Sequence, residues 1–207
     1  MNVIPYGTPD WYAARLGRVT ASRMADLTAK TKTGWGAGRL NYMAELLIER
    51  LTGVPAEGYT SPAMQWGIDH EGEARAAYEF YTDVIVREGG FIQCPSIEMA
   101  GASPDGFVEG TMGIIEIKCP NTATHLDTLL NQTIPGKYML QMQFQMACAN
   151  ALWCDFVSFD PRMPESMRLF VKRVERDTET IDGLERDVRA FLAELDNRLK
   201  ELRALYP

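Results

Sequence analysis

Two acids and a lysine lie close together in the segment SPDGFVEGTMGIIEIKCP, residues 103–120. Asp105 follows a proline, and Glu116 and Lys118 interrupt a run of isoleucines that is typical of a strand. Alternate side chains of a strand point to the same face, so Glu116 and Lys118 are expected to project together while the isoleucines beside Glu116 enter the core. Burying a charged pair costs free energy of desolvation, so its presence in an apolar strand indicates a role beyond packing. The segment is therefore the first candidate for a chemical site.

These residue types favour the binding of a divalent cation. An antiparallel pair of strands around the turn 110–113 would bring Asp105 alongside Glu116. Two carboxylates at such a short distance repel each other unless a proton or a cation lies between them. Oxygen ligands suit Mg²⁺ or Mn²⁺, which would also accept the Ile117 backbone carbonyl and waters. Lys118 would orient or help to deprotonate an attacking water and offset charge on a phosphate. An exposed ion pair on an edge strand is the structural alternative.

The elements that must position these residues alternate between helices and short strands. Helices are predicted over 11–15, 41–52, 61–81, 138–149 and 178–205, with further helices after Ser22 as an N-cap and after Pro120. Strands are predicted over 84–86, 91–92, 153–159 and 168–174, besides the pair around 110–113. The Gly-rich basic segment 30–38 is predicted to be a mobile loop. The pattern indicates an α/β fold, with a small mixed β-sheet flanked by helices.

The long C-terminal helix predicted over 178–205 carries an apolar side chain at every third or fourth position. This spacing would allow a coiled coil, but packing against the rest of the chain is the favoured interpretation. No internal repeat or second domain is evident, so a single domain is predicted over residues 1–207.

Charge and composition limit the class of protein. The net charge is −7, yet residues 11–40 carry six basic side chains against the single acid Asp26. Such a cluster is compatible with a nucleic-acid contact, and a solvated helical face with a flexible loop is the alternative. The four cysteines form no C-x-x-C pair and only two histidines exist, which argues against a zinc site. Neither a membrane-spanning apolar run nor a leader is recognisable, so a soluble, unexported protein is expected.

Six stretches, taken together, resemble the PD-(D/E)xK nuclease superfamily and, within it, the phage lambda exonuclease and YqaJ-type viral recombinase family. The stretches are WYAARLGRVTASR (11–23), AMQWGIDHE (63–71), SPDG (103–106), EIKCP (116–120), YMLQMQFQM (138–146) and FDPRM (159–163). They occur in the family's order and span most of the first 163 residues. The resemblance implies a PD-(D/E)xK nuclease-like core.

The resemblance also implies roles for the residues of the metal site. Asp105 and Glu116 would be metal-binding carboxylates, and Ile117 would contribute its carbonyl. Lys118 would position or activate the nucleophilic water. Glu71 is similar to the helix-borne acid that completes the family's site at a second metal, although a glutamate on a helix would otherwise be interpreted as a surface residue.

A pocket for a 5′-terminal phosphate is the second implied site. Arg15 would supply a bidentate donor and Ser22 a hydroxyl at a helix start, where the helix dipole favours anions. Ser103 and Gln141 would line the same pocket. Each of these residues has an ordinary structural explanation when taken singly. A pocket that grips a terminal phosphate beside the metals would make the enzyme an exonuclease with 5′→3′ polarity.

The resemblance suggests two further DNA contacts and an assembly. Family members pass duplex DNA through a ring-shaped homotrimer and separate the strands before cutting. Lys32 would reach the DNA from the loop 30–38, and Met64 would act as an apolar wedge against the terminal base pair. The loop departs from the lambda protein in length and sequence, and a methionine is more often a core residue than a wedge.

The function that the resemblance implies is a Mg²⁺-dependent 5′→3′ exonuclease acting on linear double-stranded DNA, with Mn²⁺ as a substitute. It would release 5′-mononucleotides and leave 3′ single-stranded tails for recombination, in partnership with a single-strand annealing protein, in the cytoplasm of a bacterium that hosts a phage or prophage. The alternatives are an endonuclease or resolvase on the same core and a non-catalytic scaffold that binds DNA ends. An iron–sulfur relative would need a cysteine set that Cys94, Cys119, Cys148 and Cys154 do not reproduce.

Overall fold

The computed structural model describes residues 2–56 and 61–206. The strands are β1 (Ile4–Pro5), β2 (Val19–Thr20), β3 (Lys30–Thr31), β4 (Gly34–Trp35), β5 (Val86–Glu88), β6 (Gly90–Gln93), β7 (Ala100–Ala102), β8 (Gly106–Val108), β9 (Gly113–Lys118), β10 (Trp153–Phe159) and β11 (Leu169–Glu175). The helices are α1 (Pro9–Arg15), α2 (Met24–Leu27), α3 (Ala37–Thr52), α4 (Pro62–Thr82), α5 (Thr122–Asn131), α6 (Gly136–Ala149) and α7 (Thr178–Leu205). In these two ranges, no helix is both long and apolar enough to cross a bilayer.

The strand β9 lies at the centre of a five-stranded mixed sheet with the order β11-β10-β9-β8-β5. It pairs with β8 in antiparallel register, Gly106 opposite Ile115, and with β10 in parallel register, Phe156 opposite Glu116. The hairpin predicted around 110–113 is therefore confirmed between β8 and β9. The alternative of an ion pair on an exposed edge strand is wrong, because both edges of β9 are paired.

Helices cover both faces of this sheet, and the alternation of side chains along β9 divides its residues between them. Ile115 and Ile117 pack with Ala74 and Tyr78 of α4 on one face. On the other face, Ile114 joins a larger core formed with α2, α3, α6 and α7. Glu116 shares the parity of Ile114, so it points toward α6 rather than toward α4.

A second, four-stranded sheet with the order β1-β6-β7-β2 brings the N-terminal segment to the same region. Its strand β2 runs parallel to β7, with Val19 opposite Ala100. The chain then passes from β7 through residues 103–105 into β8 of the first sheet. The predicted small mixed sheet thus exists, and this additional sheet joins residues 15–20 to the segment that carries Asp105.

The long helices begin and end where the sequence supplies caps. Ser61 accepts a hydrogen bond from the Met64 amide at the start of α4, and Asp177 accepts from the Glu179 and Thr180 amides at the start of α7. The apolar side of α7 is buried against the rest of the chain. The predicted packing of the C-terminal helix is therefore confirmed, with the predicted bounds 178–205.

Four local predictions were wrong. Residues 30–35 form the β3–β4 hairpin rather than a loop, because Trp35 holds it against Arg39, whose guanidinium lies 3.8 Å from the indole centre. Ser22 lies inside a 3₁₀ turn (Ala21–Arg23) and does not cap α2. The helix α3 begins at Ala37, four residues earlier than expected, and the strand near 84–86 begins only at Val86.

Candidate active site

Glu116 is fully buried, and three side chains hold its carboxylate. Gln141 Nε2 donates to one oxygen (Oε1) and Gln145 Nε2 to the other (Oε2), each at 2.6 Å. The Lys118 ammonium forms an ion pair with Oε1. The predicted contact between Glu116 and Lys118 on one face of the strand is thus confirmed, and the helix α6 supplies the remaining donors.

Asp105 lies beside β9 because its own backbone and side chain are both bonded to that strand. Its amide donates to the Ile115 carbonyl at 3.1 Å, and its Oδ2 accepts from the Ile117 amide at 2.6 Å. Gly89 allows a close approach behind it, since a Cβ there would lie 1.8 Å from the Pro104 carbonyl oxygen. The Ile117 amide therefore orients Asp105, while the role of the Ile117 carbonyl as a metal ligand stays a prediction.

Electrostatic coupling between these groups is strong. Burial and the neighbouring Glu116 carboxylate raise the pKa of the Asp105 carboxyl well above its ordinary value, although the Lys118 ammonium opposes the increase. Burial alone would lower the pKa of Lys118, but Glu116 and Asp105 attract the proton and raise the pKa above its ordinary value. Lys118 is therefore an ammonium, which donates hydrogen bonds and cannot accept a proton. In this state it is suited to orient a water or a phosphate oxygen.

Glu71 reaches the same cleft from the helix α4, which lies against the opposite face of the sheet. It lines a cleft together with Tyr6, Ser103 and Asp105. Burial raises the pKa of Glu71, and an ion pair with Arg75 one helical turn later, at 2.6 Å, opposes the increase. The interpretation of Glu71 as a surface residue is therefore wrong for its position, while its role at a second metal stays a prediction.

The chemistry of these donors suits a hard divalent cation. In the ranges that the structure describes, no three histidine, cysteine, aspartate or glutamate side chains form a ready-made cluster for a metal. Yet burial and mutual repulsion raise the pKa values of both Asp105 and Glu71, with Glu116 contributing to each increase. A divalent cation would relieve this repulsion, and these carboxylates offer the oxygen ligands that Mg²⁺ prefers. Binding would require Lys118 and Arg75 to yield oxygens that they now contact.

Arg15 and Ser103 lie together next to this site, as the predicted phosphate pocket requires. The Arg15 Nη1 atom donates to Ser103 Oγ at 3.3 Å, and the Trp11 indole donates to the same oxygen at 3.1 Å. The Arg15 guanidinium also lies 4.2 Å from the centre of the Trp11 ring. Burial lowers the pKa of Arg15 somewhat, but an arginine stays charged in proteins. Within residues 2–56 and 61–206, Arg15 forms no ion pair with a carboxylate, so its charge is available to an anion.

The other two residues of the predicted pocket have different surroundings. Ser22 Oγ lies 3.4 Å from Thr20 Oγ and belongs to a turn of three residues, too short for the helix dipole that its predicted role uses. Gln141 directs its amide to Glu116. The structure therefore joins Gln141 to the carboxylate site, and the phosphate contacts of Ser22 and Gln141 stay predictions.

The two additional DNA contacts are both exposed. Lys32 lies at the tip of the β3–β4 hairpin, and Met64 is 57% exposed in the first turn of α4. The expectation that Met64 is a core residue is therefore wrong, and its role as a wedge stays a prediction.

Two of the six basic residues in 11–40 pair with acids of the protein itself. Arg39 is 3% exposed and pairs with Glu194 at 3.0 Å, while Arg23 pairs with Asp26 and Glu45. The segment therefore presents fewer free cations to a nucleic acid than its composition indicates.

Sequence reasoning missed three residues that shape the site, namely Trp11, Arg75 and Gln145. Gln145 follows Gln141 by one helical turn on α6, and Arg75 follows Glu71 by the same interval on α4. Residues four apart share a helix face, so this spacing was an available signal for both. Trp11 gave no such signal, because its contact with Ser103 depends on the pairing of distant segments.

We expect Asp105→Asn to raise the melting temperature of the metal-free protein at pH 8. Because the folded-state pKa of Asp105 is raised, the unfolded chain ionises at lower pH than the native protein, and this group removes stability as the pH rises. A gain of about 1 kcal/mol would raise the melting temperature by about 2–4 °C. Thermal unfolding in chelator, compared with the exposed Asp182→Asn, measures the effect. The difference should vanish near pH 3; an equal change at both pH values would contradict the electrostatic cause.

A larger cavity, of about 520 Å³, lies at the opposite end of β9, around Gly110 and Met112. None of Asp105, Glu116, Lys118 or Glu71 lines it. The larger cavity is therefore separate from the residues whose ionisations influence one another.

Comparisons with known proteins find a matching family and similar solved structures. The family model of the YqaJ-like viral recombinase domain matches residues 10–152, whereas no curated protein sequence matches at a significant level. LHK-Exo, an alkaline exonuclease from Laribacter hongkongensis, is similar at 50% identity and a TM-score of 0.88, over 95% of this chain and 97% of that chain. Its structure in complex with dAMP gives the same values.

A phage-related exonuclease from Haemophilus somnus 129PT is similar at 18% identity and a TM-score of 0.74, over 89% of this chain and 96% of that chain. At this identity it supports the fold alone. The predicted α/β class and PD-(D/E)xK nuclease-like core are confirmed by these likenesses. The match across residues 10–152, together with the structural match along nearly the whole chain, shows that the chain belongs to the YqaJ-like viral recombinase domain family.

Proposed function

We propose that this protein is a DNA exonuclease that degrades one strand of linear double-stranded DNA from its 5′ end, with Mg²⁺ as cofactor and Mn²⁺ as a substitute. It releases 5′-mononucleotides and leaves 3′ single-stranded tails for homologous recombination by strand annealing. The exonuclease class rests on family membership and on the likeness to LHK-Exo. The polarity, the cofactor and the recombination role are the proposal.

The observation that carries the proposal is the position of the Arg15 contact relative to the acids. Ser103, which accepts from Arg15, lies two residues before Asp105 in the same segment. The Ser103 backbone carbonyl also lies 3.4 Å from Gln145 Nε2, whose amide holds Glu116. An anion bound at Arg15 would therefore lie next to the acids, so that cleavage would occur close to a phosphorylated end.

The chain's own residues would divide the work of hydrolysis. Arg15 and Ser103 would hold the terminal phosphate, and Asp105, Glu116 and Glu71 would hold Mg²⁺, which would supply charge neutralisation at the scissile phosphate. Lys118 would orient the attacking water or a phosphate oxygen. Ser22, Gln141 and the Ile117 carbonyl would add contacts to these two sites, while Lys32 and Met64 would contact the duplex.

The dAMP complex of LHK-Exo supports the proposed product, since dAMP is a mononucleotide of the class that an exonuclease would release. By resemblance to the family, a homotrimeric ring around the DNA and a single-strand annealing protein as partner are parts of the same proposal. A ring would retain the DNA without many phosphate contacts, which agrees with a net charge of −7.

The proposed function predicts a digestion that depends on the substrate's ends and on the metal. Linear duplexes with a 5′-phosphate should lose nucleotides from that end with Mg²⁺ and remain intact with chelator. Mononucleotide release measured by chromatography, with the label at either end, reports both polarity and product.

A covalently closed circular duplex is the control that separates the alternatives. An exonuclease leaves it intact, whereas cutting of the circle would indicate an endonuclease or resolvase. Binding of linear ends without nucleotide release in Mg²⁺ or Mn²⁺ would indicate a scaffold. Release from the 3′-labelled end first would contradict the proposed polarity.

A further inference from the structure

Two glutamines on α6 direct their amides at the same buried carboxylate. Gln141 and Gln145 are one helical turn apart, and each donates to a different oxygen of Glu116 at 2.6 Å. Gln145 is 1% exposed. The other donor on Glu116, Lys118, contacts the oxygen that Gln141 also binds. In the described ranges, Gln145 is therefore the only side chain that holds the second oxygen, Oε2.

Gln145 is a polar residue between two fully buried apolar residues of α6, Phe144 and Met146. A methionine would fill a volume similar to that of Gln145. Burying an amide without all its hydrogen bonds costs about 1–3 kcal/mol. Gln145 carries this cost in part, because its Oε1 atom is buried and has no partner among the described residues. The contact with Glu116 Oε2, at 2.6 Å, is the hydrogen bond that offsets most of this cost, because the other partner of the amide, the Ser103 carbonyl, is 3.4 Å away.

We propose that Gln145 is a positioning residue that fixes the orientation of the Glu116 carboxylate for cation binding. The inference rests on the proposed function, in which Glu116 holds the metal. With one amide on each oxygen, the plane of the carboxylate cannot rotate about its terminal bond. Among the described residues Oε2 keeps a further lone pair for a cation, because a carboxylate oxygen accepts more than one hydrogen bond, whereas Lys118 contacts Oε1 beside Gln141.

Neutral amides suit the orientation of the Glu116 carboxylate better than a second cationic side chain would. A guanidinium or ammonium on Oε2 would neutralise the carboxylate and would compete with the cation for it. An amide satisfies the oxygen while leaving the negative charge of Glu116 intact. Gln145 thus complements Lys118. The Lys118 ammonium must move away from Glu116 Oε1, or share that oxygen with the cation, when a cation binds.

Gln145 also lies close to the segment that forms the phosphate pocket. Its Nε2 atom is 3.4 Å from the Ser103 backbone carbonyl, and the Ser103 hydroxyl accepts from Trp11 and Arg15. The same amide therefore lies between the Glu116 carboxylate and the residue that contacts Arg15. A change at Gln145 should alter the metal site first, since the Glu116 contact is the shorter of the two.

The test is direct calorimetric titration of the full chain with Mn²⁺, without DNA, for the parent and for Gln145→Met. Loss of a partner that orients a metal ligand typically costs about 10–100-fold in affinity, so we expect the Mn²⁺ dissociation constant to rise by about tenfold or more. On linear duplex DNA, kcat should fall at fixed Mg²⁺ and KM for DNA should stay unchanged.

Gln143→Met is the matched control. Gln143 is buried on the same helix, but its amide donates to the Glu175 carbonyl and accepts from the Asp177 amide, each at 2.9 Å, far from the carboxylate site. It should lose thermal stability and keep the Mn²⁺ affinity of the parent. If Gln145→Met does not fold, Gln145→Asn tests the same contact, because its shorter side chain keeps the amide but cannot reach Glu116.

Each outcome separates this inference from the proposed function. If the parent protein binds Mn²⁺ and Gln145→Met binds it with the same affinity, the positioning role alone is overturned. An equal loss of affinity in Gln143→Met would do the same, because it would indicate a general effect on α6. If the parent protein binds no Mn²⁺, so that its titration is the same as that of Glu116→Gln, the proposed metal site is overturned. This inference then fails with it.

Discussion

Lys118→Met should bind DNA ends nearly as well as the parent protein and lose about 10²–10³-fold in the rate of cleavage. Lys118 is the cation that opposes the mutual repulsion of Asp105 and Glu116, and those two acids raise its pKa. Its charge is therefore concentrated where a scissile phosphate would lie. Methionine keeps the packing of the side-chain stem but removes the ammonium. Single-turnover cleavage of a 5′-phosphorylated duplex, with end binding measured separately, checks the result.

Lys172→Met is the matched control for this prediction. Lys172 lies on β11, two strands from β9 in the same sheet, and donates to the Gln132 backbone carbonyl at 2.7 Å. The loss of this exposed ammonium should leave the cleavage rate within a few-fold of the parent. Full activity in Lys118→Met would refute the role of the lysine, and loss of end binding in that variant would indicate a structural role instead.

The part of the site that the sequence predicts best is the part that depends on local geometry. Glu116 and Lys118 are two residues apart on one strand, and Asp105 is brought to them by the adjacent hairpin. These relations need only the alternation of a strand and a short turn. The same holds for β10 and α7, whose predicted bounds agree with the structure. The helix α7 has a periodic apolar face, and β10 is a short, mostly apolar run that is buried along nearly its whole length.

The features that sequence reasoning missed depend on how distant segments pack. The contact of Gln145 with Glu116 exists because α6 crosses the face of β9, and no local pattern fixes that crossing. Arg39 looked like a DNA-facing cation, yet its partner Glu194 is 155 residues later. The hairpin at 30–35 was predicted as a loop because the segment 30–38 is rich in glycine. Composition does not reveal that Trp35 stacks on Arg39.

Arg15→Ala should remove the preference for phosphorylated ends. The guanidinium is held by the Trp11 ring and by Ser103 Oγ, so its fork is already oriented for bidentate contact with a phosphate. A hydrogen bond to a charged group contributes about 1.5–3 kcal/mol, which corresponds to about 10–10²-fold in kcat/KM for 5′-phosphorylated duplexes. Duplexes with a 5′-hydroxyl should be cut at the parent rate. Initial rates on two substrates that differ only in this phosphate measure the effect.

Arg15→Lys and Arg198→Ala are the control variants. They separate the effect of the planar guanidinium of Arg15 from that of positive charge in general. Lysine keeps the positive charge but lacks the planar fork, so its rate on phosphorylated ends should lie between those of the parent and Arg15→Ala. Arg198 lies on α7 in an exposed ion pair with Glu194. The Arg198→Ala substitution should leave the cleavage rate of both substrates unchanged. Equal losses on phosphate and hydroxyl ends in Arg15→Ala would contradict a pocket for the terminal phosphate. They would assign Arg15 to general DNA binding, and the polarity of the enzyme would then need another structural cause.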